Sequence, residues 1–252
     1  RTTSWFNAVD KVSFDVYKGE TVGLVGESGC GKTTLGRAIL QLIKPSAGEI
    51  LLNGKDISKS TASSLRPMRR DLQIVFQDPY GSLDPRISVG EAILEPLQVH
   101  KLYGNKTAQR DRVMDLLEKV NLSTGHYRRY PHQLSGGQRQ RICIARALAT
   151  DPSFLVFDES VSALDVSVQA QVLNLLDDLK REFGFNAIFI SHDLAVVHHC
   201  CNRILVMRKG QIIEEGTANQ VYNNPRQAYT QQLIGAIPGR RLNPGISVSG
   251  GA

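Results

Sequence analysis

The residues from Gly26 to Thr33 read GESGCGKT, a G-x-x-x-x-G-K-[ST] spacing suited to holding phosphate. Its glycines, Gly26, Gly29 and Gly31, let the backbone curl until several N–H groups face one anion. A helix that starts there adds its dipole. In that chemistry Lys32 reaches the β- and γ-phosphates and the Thr33 hydroxyl serves Mg²⁺. Glu27, Ser28, Cys30 and the next residue, Thr34, complete the candidate loop. The flanks suit it: Val22–Val25 reads as a buried strand, and KTTLGRAILQLI (32–43) has helical spacing and stops before Pro45.

Three more polar groups follow apolar strand patterns. SFLVFDE carries Asp158 and Glu159 to the carboxyl edge of a short buried strand, where ligands bind in open α/β sheets. Asp158 can serve the metal through its water shell. Glu159 points elsewhere and can polarise an attacking water. The plainer reading of the pair is a helix cap. IFISHD ends in His192, which can touch a γ-phosphate or simply bond to backbone. LQIVFQ ends in Gln77, which can contact water or Mg²⁺, or be an ordinary surface residue. Thr33, Gln77, Asp158 and His192 are expected to converge on one crevice, and that convergence raises each above its plainer reading.

A second candidate anion site lies about a hundred residues downstream. LSGGQRQR (134–141) sets Ser135, Gly136, Gly137 and Gln138 at the head of a helical pattern.

These groups need elements to position them. AVDKVSFDVYKGETVGLVGE predicts a strand, a turn at Lys18-Gly19 and a more buried strand. GEILLNGKDI, DLQIVFQ, SFLVFDE and NAIFIS read as strands, VSVQAQVLNLLDDLKREFG and AVVHHCC as helices, and RILVMRKGQIIEEG as a hairpin. Apolar strands alternating with helices imply a parallel sheet covered on both faces. From 78 to 150 the patterns turn helical, which predicts a second lobe inserted between strands. The Gly/Ser-rich 238–252 is expected to be a loose tail beyond a domain spanning 1–237.

With 252 residues, 41% of them apolar, the chain can bury a core in one large domain or two lobes. A net charge of +6 suits nucleic acid, anionic lipid or an anionic small ligand, and equally a plain solvated surface with surplus Arg. The most basic block, LRPMRR (65–70), is too short and broken for a nucleic-acid groove, so no nucleic-acid partner is expected. The four cysteines form no CxxC pair, which argues against a zinc site or disulfide framework and suits a reducing compartment. No apolar run approaches the ~18 residues that span a bilayer, and no signal-peptide pattern is found. The opening RTTSW lacks an initiator Met and predicts a segment of a longer polypeptide.

In order, the phosphate loop, Gln77, LSGGQRQR, FLVFDE, SALD and ISHD resemble the ATP-binding subunits of ABC transporters, over nearly all of 8–238. LSGGQ is specific to that class. AVDKVSFDVYKGETVGLVGESGCGKTTLGRAIL, IVFQDPYGSLDPR, YPHQLSGGQRQRICIARAL and NPRQAYTQQLI resemble its di- and oligopeptide importer subfamily, which includes transporters of glutathione and nickel.

The resemblance implies an α/β fold: a P-loop NTPase (RecA-like) core, an antiparallel β subdomain and the inserted helical subdomain. It implies ATP and Mg²⁺, with Thr33, Gln77 and Asp158 serving the metal, Glu159 as general base and His192 on the γ-phosphate. An upstream aromatic, Trp5 or Phe6 ahead of Tyr17, would stack on adenine. Ser135, Gly136, Gly137 and Gln138 would cap the nucleotide of a second ATP-binding subunit, identical or different, with Asp165 at the contact. Two transmembrane permease subunits and, indirectly, an extracytoplasmic solute-binding protein are the implied partners. The implied location is peripheral, on the cytoplasmic face of the membrane.

Three departures stand out. Ser160 stands where the family usually has Pro after its catalytic Glu, no Cys follows Cys201 where many relatives carry a cysteine-bearing tail, and the sequence opens at Arg1 without its upstream part, which leaves room for a fusion to another domain. A soluble ABC-type ATPase acting on DNA or ribosomes, and a cassette that binds ATP without turnover, are the alternatives.

Overall fold

The structure, a computed structural model, describes residues 7–237. Trp5, Phe6 and the tail 238–252 lie outside the described residues. After an extended stretch the chain enters β1 (Thr21–Val25) and passes through the glycine loop into α1 (Lys32–Ile39). A small hairpin of β2 (Leu51–Leu52) and β3 (Lys55–Asp56) precedes α2 (Ala62–Met68) and β4 (Leu72–Val75). Then come α3 (Val89–Val99), α4 (Lys106–Lys119) and α5 (Gly136–Leu148), with no strand among them. The chain returns through β5 (Phe154–Asp158), α6 (Val166–Phe183), β6 (Asn186–Ser191) and α7 (Leu194–Cys200). It ends in β7 (Arg203–Arg208), β8 (Gln211–Thr217), α8 (Ala218–Asn223) and α9 (Ala228–Gly235).

Six strands form one sheet in the order β4-β5-β6-β1-β7-β8. The first five are mutually parallel, and β8 turns back antiparallel on β7. Period-2 alternation splits the central strands between two cores. Val22, Leu24, Val156, Ile188, Ile190 and Leu205 pack with α1, α2 and the hairpin. Leu155, Phe157, Ala187, Phe189, Ile204 and Val206 pack with the helices on the other face. The sheet is therefore covered on both sides, and its carboxyl edge is the face left for chemistry. At Gly23 a Cβ would stand 1.9 Å from Val197 Cγ1, so α7 lies against bare backbone.

The structure departs from the sequence expectations at several places. Residues 8–17 form no ladder, although their alternation is genuine. Val12, Phe14 and Val16 are half-buried while Lys11, Ser13, Asp15 and Tyr17 are exposed. Alternation reports which face packs; a ladder also needs a neighbouring strand. Here the backbone bonds to a turn instead, Asp10 N–H donating to the Gly210 carbonyl at 2.8 Å. Helix α1 stops at Ile39, four residues early, because Gln41 takes a left-handed φ of 53°. Helices α2, α8 and α9 were not foreseen. The first carries Pro67 inside it and shows in the sequence only as a basic stretch.

Candidate active site

The glycine loop has the curl its spacing requires. Gly26 has φ 154°, and a Cβ there would lie 2.2 Å from the Met207 carbonyl. Gly31 has φ 111°, and its Cβ would lie 2.1 Å from the Ala8 carbonyl. Gly31 caps α1 without a side chain, so the first amides of that helix are left to an incoming anion. The turn between β7 and β8 braces the loop, Gly210 N–H donating to the Cys30 carbonyl at 2.9 Å. Burial pushes the Cys30 thiol up, against the pull of the Lys32 charge. The loop therefore sets no thiolate against a phosphate. Lys32 is buried, its Nζ donating to the carbonyls of Gly26 (2.7 Å) and Glu27 (2.9 Å).

The polar residues after β1, β4, β5 and β6 meet at the carboxyl edge, as the strand pattern requires. Thr33 Oγ1 donates to Asp158 Oδ1 at 2.8 Å. Burial pushes the Asp158 carboxyl up, opposed by the Thr33 hydroxyl and by the charge of Arg37. Glu159 is a hub. Its Oε1 lies 3.9 Å from Lys32 Nζ, and its Oε2 lies 3.3 Å from both Gln77 Nε2 and His192 Nδ1. The Glu159 side chain is 17% exposed and the His192 side chain 56%, so the carboxylate sits at the floor of the crevice and the imidazole at its mouth.

Glu159 holds a left-handed φ of 48°, a conformation that costs about 1–3 kcal/mol and needs outside support. The support is main-chain: Glu159 N–H donates to the Ile190 carbonyl (3.0 Å). Ser162 returns both its N–H (3.2 Å) and its hydroxyl (2.8 Å) to the Glu159 carbonyl. These bonds hold the turn that follows Glu159. Ser160 itself is buried, and its hydroxyl finds no partner among the described residues.

The second candidate anion site sits at the head of α5, on the helical stretch. Ser135 caps that helix, its hydroxyl accepting from Gln138 N–H (3.3 Å) while Gln138 Oε1 accepts from Ser135 N–H (3.0 Å). This capping box uses two donors and leaves the N–H groups of Gly136 and Gly137 pointing along the helix axis. Ser135 is exposed, and so are Asp165, which starts α6, and Val166 beside it at 82%. Helix α5 also carries the loop that follows Gln77. Arg146 donates to the Ser82 carbonyl at 2.5 Å, and the Arg139 guanidinium lies 5.3 Å over Tyr80.

Two bracing residues carry little signal in the sequence. Ser162 had no motif signal beyond its place in SALD. Tyr229, on α9, takes a hydrogen bond from Glu27 N–H at 3.0 Å, although 202 residues separate them. The lower-ranked adenine candidate, Tyr17, is 64% exposed with the Arg203 guanidinium 5.6 Å over its ring.

A family model described as ABC transporter matches residues 9–162. Among curated proteins, glutathione import ATP-binding protein GsiA of Pectobacterium atrosepticum is 52% identical over 238 residues, and that of Escherichia coli K12 is 53% identical. Each match covers 94% of this chain and 38% of the relative, so the chain spans under two fifths of the curated relatives it matches. Among solved structures, the ATP-binding cassette MJ0796, a dimer in a post-hydrolysis state bound to ADP and Pi, is 30% identical with a TM-score of 0.76. That match covers 84% of this chain and 90% of the other. The cbiO1 protein of Clostridium perfringens, part of the transporter complex cbiONQ, is 29% identical with a TM-score of 0.79, covering 86% and 84%.

Proposed function

The chain belongs to the ABC transporter family, and from that premise we propose that it binds and hydrolyses ATP to drive solute import. One observation carries the proposal. Behind a phosphate loop, Glu159 is contacted by Lys32, Gln77 and His192 from three different segments, while Asp158 beside it is bonded to Thr33. That arrangement suits in-line hydrolysis. The loop amides and Lys32 hold the phosphates. Glu159 takes a proton from a water whose oxygen bonds to the γ-phosphorus as the bond to the bridging oxygen of ADP breaks. His192, at the mouth of the crevice, donates to the γ-phosphate, and Gln77 orients the water.

The donor set suits Mg²⁺. Thr33 and Asp158 offer hard oxygens already 2.8 Å apart, and the Gln77 amide oxygen is the third candidate. When bound, the ion neutralises charge on the β- and γ-phosphate oxygens.

The α5 helix start supports a paired enzyme. Ser135, Gly136 and Gly137 lie exposed or half-exposed on the helical stretch. We take the domain to span 1–237, with 78–150 as its inserted lobe. Two copies, or this chain and a second cassette, would each close the other's nucleotide with this helix start, Asp165 and Val166 lying at the contact. Among the described residues no helix is long and apolar enough to cross a membrane. Separate permease subunits at the cytoplasmic face would supply that path, meeting the cassette along 77–85. Glutathione is the favoured solute, on the names of the relatives, ahead of di- or oligopeptides.

The test is Glu159→Gln in the assembled transporter. It should bind ATP, hold a closed dimer and lose turnover by at least about 10²-fold. Turnover at the wild-type rate would remove Glu159 from its role.

A further inference from the structure

We propose that Tyr229 is a positioning residue for the nucleotide loop, and that α9 is thereby coupled to nucleotide occupancy. The inference rests on the reading of that loop as an ATP site. Tyr229 is a buried residue whose ring joins the core of the helix-bearing face. Its hydroxyl accepts the Glu27 N–H at 3.0 Å. Glu27 is the second residue of the loop, directly after Gly26, whose carbonyl takes the Lys32 ammonium. The bond thus fixes the peptide plane on which the loop begins its curl. The amides that would face phosphate follow it in sequence.

The tyrosine is itself held from two sides. The Arg208 guanidinium, at the end of β7, lies 4.7 Å over the ring. The Glu214 carboxylate on β8 accepts the N–H groups of Arg226 (2.7 Å) and Gln227 (3.0 Å), the two residues that lead into α9. Glu214 is 9% exposed, so it is committed to this anchoring and not to solvent. A continuous set of contacts therefore runs from β8 through the start of α9 to the phosphate loop. Through these contacts α9 would preset the loop geometry before the anion arrives.

Tyr229→Phe keeps the ring, its burial and the arginine above it, and removes one acceptor. The loop then begins from a less ordered ensemble, and nucleotide must order it on binding. In the full chain, ATP and ADP affinities, measured by calorimetry, should both weaken by the same factor, on the order of three- to tenfold, the worth of one net hydrogen bond. The factors agree because the loop holds phosphates common to both ligands. Binding and loop order are reciprocal. Hydrogen exchange across 228–235 should therefore slow when ATP is added to the wild type, and respond much less in Tyr229→Phe. Glu214→Gln, remote from the loop, should weaken both nucleotides in the same direction by a smaller factor.

Wild-type affinity in Tyr229→Phe, or exchange in α9 that ignores ATP in the wild type, overturns the coupling while the ATP reading stands. A wild-type chain that binds neither ATP nor ADP overturns both.

Discussion

Replacing Thr33 by Val tests whether the Thr33–Asp158 bond holds a buried charge. Valine keeps the shape and removes the hydroxyl. Asp158, 4% exposed, then loses the donor that sits 2.8 Å from its Oδ1. A hydrogen bond to a charged group contributes about 1.5–3 kcal/mol. In a chain of this length that corresponds to a fall in Tm of about 3–12 °C, at roughly 2–4 °C per kcal/mol. The pH dependence has a definite sign. Burial already holds the Asp158 carboxyl above its ordinary value, and Thr33 opposes that rise. Without Thr33 the folded-state pKa climbs further. The penalty is therefore full where Asp158 is ionised and fades as the pH falls through its raised pKa. Urea melts of the ligand-free chain at neutral and acid pH measure this, and a cycle with Asp158→Asn isolates the pair. The Asn background should shrink the Thr33→Val penalty, because the amide carries no charge to strand. An unchanged neutral-pH midpoint, or a penalty that survives both acid and Asp158→Asn, refutes the reasoning.

Gly23→Ala drives a methyl toward Val197 Cγ1, 1.9 Å from the ideal Cβ, and should lower the urea midpoint by about 1–3 kcal/mol of stability with little change in m. Gly184→Ala places a Cβ at φ 69° at the end of α6; a thermal melt should show a loss of about 1 kcal/mol. Ser135→Arg should leave ATP affinity of the single chain near wild type while turnover of the assembled enzyme falls by roughly 10²-fold or more. Lost binding with turnover retained would mean that the α5 helix start serves its own chain.

The parallel core was legible because its central strands are short apolar runs, two of which, β5 and β6, end in a polar residue. Phe154–Asp158 and Asn186–Ser191 fall where SFLVFDE and NAIFIS place them. The convergence of Thr33, Gln77, Asp158 and His192 was legible for the same reason, since parallel strands deliver their carboxyl ends to one edge. Local pattern could not show pairing. Residues 8–17 alternate without a partner strand, and Gln41 ends α1 through a backbone angle that its residue type does not announce. The braces were equally hidden. Tyr229 is one aromatic with no motif role of its own until the fold carries it across 202 residues to Glu27. The same is true of Gly210, which reads as a hairpin turn and also fixes the Cys30 carbonyl.

Two adjacent carboxylates in FLVFDE end in contrasting environments, and the contrast fits the separate roles proposed for them. Asp158 is buried and bonded at 2.8 Å to a hydroxyl, a posture that suits a fixed oxygen donor. Glu159 is the reverse. Its backbone is fixed by Ile190 and Ser162 in a conformation it would not otherwise hold, yet its carboxylate meets partners only at 3.3–3.9 Å. Bonds that long are weak, so a water that enters the crevice can displace them at little cost. A general base needs both properties: a backbone that stays put while the substrate is aligned, and oxygens not committed to a strong donor. With Glu159 as the proposed base, its fixed backbone would supply the first, and the loose ring of Lys32, Gln77 and His192 would supply the second.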